Sequence, residues 1–154
     1  MEMNVYNRYY YFFDVSSIGD MKILICDDSA VARKLIARSI VQDTSLHLIE
    51  AQDGYEALNI LAEQNIDILF LDLTMPIMDG FQLIEELKSN DSFRHIPIIV
   101  LTARAEIQTK LSALRIGVDD YMLKPFVAAE LTARVENLLN NSQKRLSSVG
   151  NLQK

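Results

Sequence analysis

The chain has 154 residues with 15 Lys and Arg against 21 Asp and Glu, a formal net charge of −6. That length suits one compact domain, and a hydrophobic share of 49% with 23% charged residues excludes wholesale disorder. The acidic balance argues against a broad nucleic-acid surface, which needs clustered Lys and Arg, and no run approaches the ~18 apolar residues of a membrane span.

Residues 1–20 stand apart. Tyr6, Tyr9, Tyr10, Tyr11, Phe12 and Phe13 are half of the chain's aromatics, so the segment reads either as a loosely packed extension or as a docking segment. Its first residues are not expected to form a secretory signal. From Met21 the pattern is regular. Lys22 to Cys26 is a short apolar run ending at Asp27-Asp28, as a buried parallel strand would be. Ser29 can cap a helix carrying Val31, Leu35, Ile36 and Ile40 at helical spacing. Leu46 to Glu50 predicts a second strand. Asp53-Gly54-Tyr55-Glu56 predicts a capping box opening a helix with Ala57, Leu58, Leu61 and Ala62 on one face.

Ile66 to Leu71 predicts the third strand, with Asp72 at its end. Asp79-Gly80 starts a third helix bearing Phe81, Leu83, Ile84 and Leu87. Ile96 to Leu101 predicts strand four, ending in Thr102. Ile107, Leu111 and Leu114 mark a fourth helix that Gly117 can stop. Asp120 to Leu123 is a short fifth strand followed by Lys124-Pro125. The last helix, about 128–140, is expected to bury Leu131, Val135, Leu138 and Leu139. The expected organisation is an extension over 1–20, a domain over 21–141 and a polar, frayed tail over 142–154.

Five strands alternating with five helices give a doubly wound parallel sheet covered on both faces, and ligands bind at the carboxyl ends of its strands. Asp27, Asp28, Asp72, Thr102 and Lys124 all fall at that edge. Singly, each has an ordinary explanation as a cap, a turn or a strand end; their convergence is what points to chemistry. Three carboxylates together repel one another, and a divalent ion with oxygen ligands, Mg²⁺ above all, removes the conflict. Asp72 is the expected nucleophile, able to form an acyl phosphate. Lys124 supplies a positive charge and Thr102 a hydroxyl for phosphoryl oxygens. Cys26 cannot close an internal disulfide and is expected in the core. That suits a reducing cytoplasm. His47 and His95 are expected outside the site.

The stretches 23–29, 70–80, 98–103 and 120–126, with their spacing, resemble the response-regulator receiver domain of two-component signalling, over roughly 21–141. The resemblance implies a flavodoxin-like, CheY-like sheet of order 2-1-3-4-5. It implies Asp72 as phospho-acceptor and Asp27, Asp28, Asp72 and the Thr74 carbonyl as Mg²⁺ ligands. It implies Lys124 as the phosphate-binding lysine, often followed by a cis proline, and Thr102 with Tyr121 as a switch pair whose aromatic moves inward on phosphorylation. The expected donor is a histidine kinase or histidine phosphotransfer protein. The expected output is a separate effector protein meeting the face of helix four, strand five and helix five, with no nucleic acid and no membrane. Three other readings compete: a relay intermediate passing phosphate to another histidine, a receiver-shaped interaction module, and a haloacid-dehalogenase-type hydrolase. The hydrolase wants an Asp where Thr74 stands, so the chain is read as a switch rather than an enzyme.

Overall fold

The computed structural model describes residues 21–40 and 46–150; the segment 1–20, with its two sequence readings, and the tail end 151–154 lie outside the described residues. The order is β1 (Met21–Cys26), α1 (Ala30–Ile40), β2 (Leu46–Ala51), α2 (Gly54–Glu63), β3 (Ile68–Leu71), α3 (Gly80–Ser89), β4 (Ile98–Thr102), α4 (Ile107–Ile116), β5 (Asp120–Leu123) and α5 (Ala128–Gly150). The five strands are all parallel in the order β2-β1-β3-β4-β5, the order the resemblance implied.

Strand alternation builds two cores from one set of strands. Leu24, Cys26, Leu69, Leu71, Ile98 and Val100 face the layer of α2, α3 and α4. Ile23, Ile25, Ile68, Phe70, Ile99 and Leu101 face the layer of α1 and α5. Both faces being covered explains why these strands read as continuous apolar runs rather than as alternating ones. The register places Cys26 opposite Ala51 and Leu71, and Thr102 opposite Leu123. The residues that follow the strands therefore emerge together at one edge.

The helix starts follow the local chemistry. Ser29 Oγ accepts from the Ala32 N–H at 3.2 Å. Asp79 and Gln82 form a complete capping box at 3.0 Å each way. Asp53 caps α2 by accepting from the Glu56 N–H at 2.9 Å, but Glu56 reaches back to the Gln52 N–H instead of to Asp53. Gly117 closes α4 with φ 112°, a left-handed conformation that favours glycine.

Several expected core residues lie elsewhere. On α1, Ile36 and Ile40 are buried but Val31 and Leu35 are exposed. On α2, Ala57 and Leu61 are buried and Leu58 is half-buried, while Ala62 faces solvent. On α4 the apolar set is displaced: Thr109 and Ala113 are buried, and Ile107, Leu111 and Leu114 are all exposed. On α5, Leu131 and Val135 are buried and Leu138 is half-buried; Leu139 lies outside the described side chains. The helix also continues to Gly150, past the end expected from its apolar stripe. Ile66 and Ile96 precede β3 and β4 rather than opening them, although both are buried. Among the described residues, no helix is long and apolar enough to cross a membrane.

Candidate functional site

Asp27 and Asp28 follow β1, Asp72 follows β3, Thr102 ends β4 and Lys124 follows β5. Backbone hydrogen bonds hold these positions side by side. The Asp72 N–H donates to the Cys26 carbonyl at 3.0 Å, the Asp27 N–H to Ala51 at 3.1 Å, and the Lys124 N–H to Thr102 at 2.8 Å. Gly80 is a steric requirement for the same edge. A Cβ there would lie 2.6 Å from the Asp72 carbonyl oxygen and from Leu73 Cα, so only glycine lets the start of α3 approach the acidic strand end. The Gly80 N–H uses that approach to donate to the Leu73 carbonyl at 2.9 Å.

The side chains converge. Lys124 Nζ lies 2.5 Å from Asp27 Oδ2 and 3.0 Å from Asp72 Oδ2. Asp27 is almost wholly buried, Asp72 nearly so, and Asp28 is exposed. One carboxylate oxygen from each of the three lies within 4.8 Å of the others. Burial pushes the Asp27 carboxyl above its usual range, against the pull of Lys124 and the Ser29 N–H. Burial also works against the Lys124 ammonium, but its bonds to Asp27 and Asp72 outweigh that and raise its pKa. The lysine is thus the counter-ion of a carboxylate cluster short of positive charge. An all-oxygen donor set of this kind fits a small hard cation.

The remaining expected residues have defined partners. Thr74 is exposed and donates its N–H to Asp72 Oδ1 at 3.2 Å. Thr102 is fully buried, and its Oγ1 accepts from the Arg104 N–H at 3.3 Å. Tyr121 is already turned inward, only 6% exposed, with its hydroxyl donating to the Arg104 carbonyl at 2.6 Å. The Lys124-Pro125 bond is cis. His47 and His95 are both exposed and outside the cluster. Cys26 is buried beneath it, its thiol pushed up to about 12 by burial first and by nearby carboxylates second.

One residue at the site and one beside it have no role assigned from the sequence. Arg33 Nη1 donates to the Asp27 carbonyl at 2.7 Å while its Nε pairs with Glu50 at 3.0 Å, tying α1 and β2 to the acidic turn. A basic residue one turn into a helix carries no distinguishing pattern. Ile77 has φ 69°, unusual for a β-branched residue; the sequence offers no glycine there to signal it.

Residues 23–136 match the family model described as the response regulator receiver domain. The response regulator MprA of Mycobacterium avium is 39% identical over 124 residues, covering 80% of this chain and 53% of that protein. The sensor histidine kinase TmoS of Ectopseudomonas mendocina is 37% identical over 119 residues, covering 77% of this chain and 12% of that one. The solved REC domain of AraT, a response regulator from Geobacillus stearothermophilus, superposes with a TM-score of 0.73 at 34% identity, covering 82% of this chain and 98% of that domain. The chain spans about half the length of the first regulator relatives it matches, 47%, 51% and 53% of theirs. Its doubly wound sheet and acidic edge define the receiver class. The chain belongs to the response-regulator receiver domain family.

Proposed function

We propose that this chain is a phosphorylation switch in which Asp72 accepts a phosphoryl group from a phosphohistidine. The observation that carries the reading is the triad of Asp27, Asp72 and Lys124 within hydrogen-bond distance at one sheet edge. In the transfer, an Asp72 carboxylate oxygen forms the new P–O bond as the P–N bond to the donor imidazole breaks, and the imidazole takes up a proton. Held by Asp27, Asp28, Asp72 and the Thr74 carbonyl, Mg²⁺ would neutralise the phosphoryl oxygens. Lys124 is then released from the carboxylates to pair with a phosphoryl oxygen. Thr102 exchanges the Arg104 N–H for that group as hydrogen-bond partner.

The donor reading is supported by the apolar rim that Val31, Leu35 and Val127 leave exposed around the site, respectively 68%, 52% and 65%; a partner helix could cover it. The output reading is supported by Ile107, Leu111, Leu114 and Leu123, exposed on α4 and β5, beside Tyr121 and its Arg104 anchor. A phosphoryl group that draws Thr102 away from the Arg104 N–H changes the loop that holds Tyr121, and so biases this face. We read the output as a separate protein bound there, with transfer to a further histidine as the second reading. With Thr74 in place of a catalytic acid, we read no hydrolase activity on a separate substrate. The single buried thiol supports a cytoplasmic setting.

The reading is tested by adding trifluoroberyllate, a phosphoryl mimic, with Mg²⁺ to ¹⁵N-labelled protein. Amide shifts concentrated at Thr102, Arg104, Tyr121 and Leu123, abolished in Asp72→Asn, are expected. Shifts confined to Asp27, Asp28 and Thr74, or retained in Asp72→Asn, would contradict it.

A further inference from the structure

A groove of about 480 Å³ runs between α2 and α3, lined by Tyr55, Ile77, Met78, Glu85 and Glu86 among others, and by none of the carboxylates or the lysine of the phosphoryl site. Ile77 forms one lip. The turn Pro76-Ile77-Met78 is closed by the Met78 N–H donating to the Pro76 carbonyl at 2.8 Å, with positive φ at Ile77. This is the rare, strained form of the three-residue turn, and a β-branched residue is poorly suited to it. Ile77 is also 77% exposed, so the fold gains little from burying it. Strain and exposure together leave the Ile77 side chain free for contacts outside the fold.

Tyr55 forms the other lip and is likewise more than half exposed. Met78, nearly buried, is the floor. It packs so closely on α2 that a Cβ at Gly54 would lie 2.6 Å from its Sδ. Glu85 and Glu86 are exposed along the α3 wall, and the lining holds no Lys or Arg.

We propose that this groove is a docking site for a basic amphipathic protein segment, with apolar anchors between Tyr55 and Ile77 and Lys or Arg against Glu85 and Glu86. Charge selects this occupant over two others. Segment 1–20 carries Arg8 against Glu2, Asp14 and Asp20, and a second copy brings a net charge of −6; both have the wrong sign for an acidic wall.

The test uses the full-length ¹⁵N-labelled chain titrated with a helical Lys/Leu amphipathic peptide and with its Glu/Leu counterpart. Saturable shifts at Tyr55, Ile77, Met78 and Glu85 with the Lys/Leu peptide alone are expected. Ile77→Asn, whose side chain tolerates the turn, should raise the thermal midpoint while weakening binding by about tenfold. Glu85→Lys should weaken it comparably, and Glu136→Lys, an equal charge change on the opposite layer, should leave it nearly unchanged. Equal binding of both peptides, shifts mapping to α4 and β5, or equal loss in Glu136→Lys would overturn the proposal. So would groove shifts on deletion of 1–20 or on raising the protein concentration, which would assign the groove to the chain itself.

Discussion

Lys124 carries the electrostatics of the site, because two buried carboxylates share its single ammonium. Lys124→Met leaves them uncompensated and should destabilise the metal-free protein by about 3 kcal/mol in denaturant unfolding. Mg²⁺ should then raise the stability of Lys124→Met by more than it raises wild type, since a cation replaces the missing charge; an equal gain would refute the counter-ion role. Tyr121 gives a second residue-level prediction. Burial raises its pKa above the usual tyrosine value, so the native state favours the neutral phenol. Its contribution to stability is present below the unfolded pKa of about 10 and is lost as pH rises through the higher folded value. Absorbance titration should show a tyrosine ionisation delayed past that usual value, and Tyr121→Phe should remove that late step. Loss of the hydroxyl's bond to Arg104 should cost about 1 kcal/mol.

At the scale of elements, the sequence was legible wherever caps and strand ends did the work, and illegible where an apolar face serves something other than the core. The starts of α2 and α3 follow from Asp53 and Asp79, and β5 has its expected bounds. On α4, Ile107, Leu111 and Leu114 have helical spacing that reads as a core face, yet the buried face is Thr109 and Ala113. Val31 and Leu35 mislead on α1 for the same reason: periodicity reports a face, not what covers it. Ile107→Ser should therefore cost no more than about 0.5 kcal/mol, whereas Ala113→Leu, where there is no room, should cost about 1–3 kcal/mol. The reverse order would put the observed α4 phase in error. The end of α5 was missed because the polar run 140–145 interrupts the apolar pattern before Leu146 and Val149. Gly80→Ala should cost at least about 2 kcal/mol and slow phosphoryl uptake together, because its Cβ would collide with the backbone of Asp72 and Leu73 at the acidic strand end.

Over the whole molecule, the site exists because five parallel strands end in register. Asp27, Asp72, Thr102 and Lys124 are recognisable as residues in the sequence, and their meeting follows from the alternation of strands and helices. The strand order came only with the resemblance, since alternation alone does not say which strands are neighbours. The direct contact of Lys124 with both Asp27 and Asp72 was also not in the motif, nor was the inward placement of Tyr121, because neither spacing nor composition encodes a rotamer. The two-sided sheet also accounts for Cys26, sealed in the core beneath the acids.

The central claim is that this edge takes a phosphoryl group on Asp72. Intact-protein mass after incubation with acetyl phosphate, with and without Mg²⁺, tests it directly on wild type and Asp72→Asn. The account predicts a gain of one phosphoryl group that requires both Mg²⁺ and Asp72. No gain in folded wild-type protein, or an undiminished gain in Asp72→Asn, would contradict it.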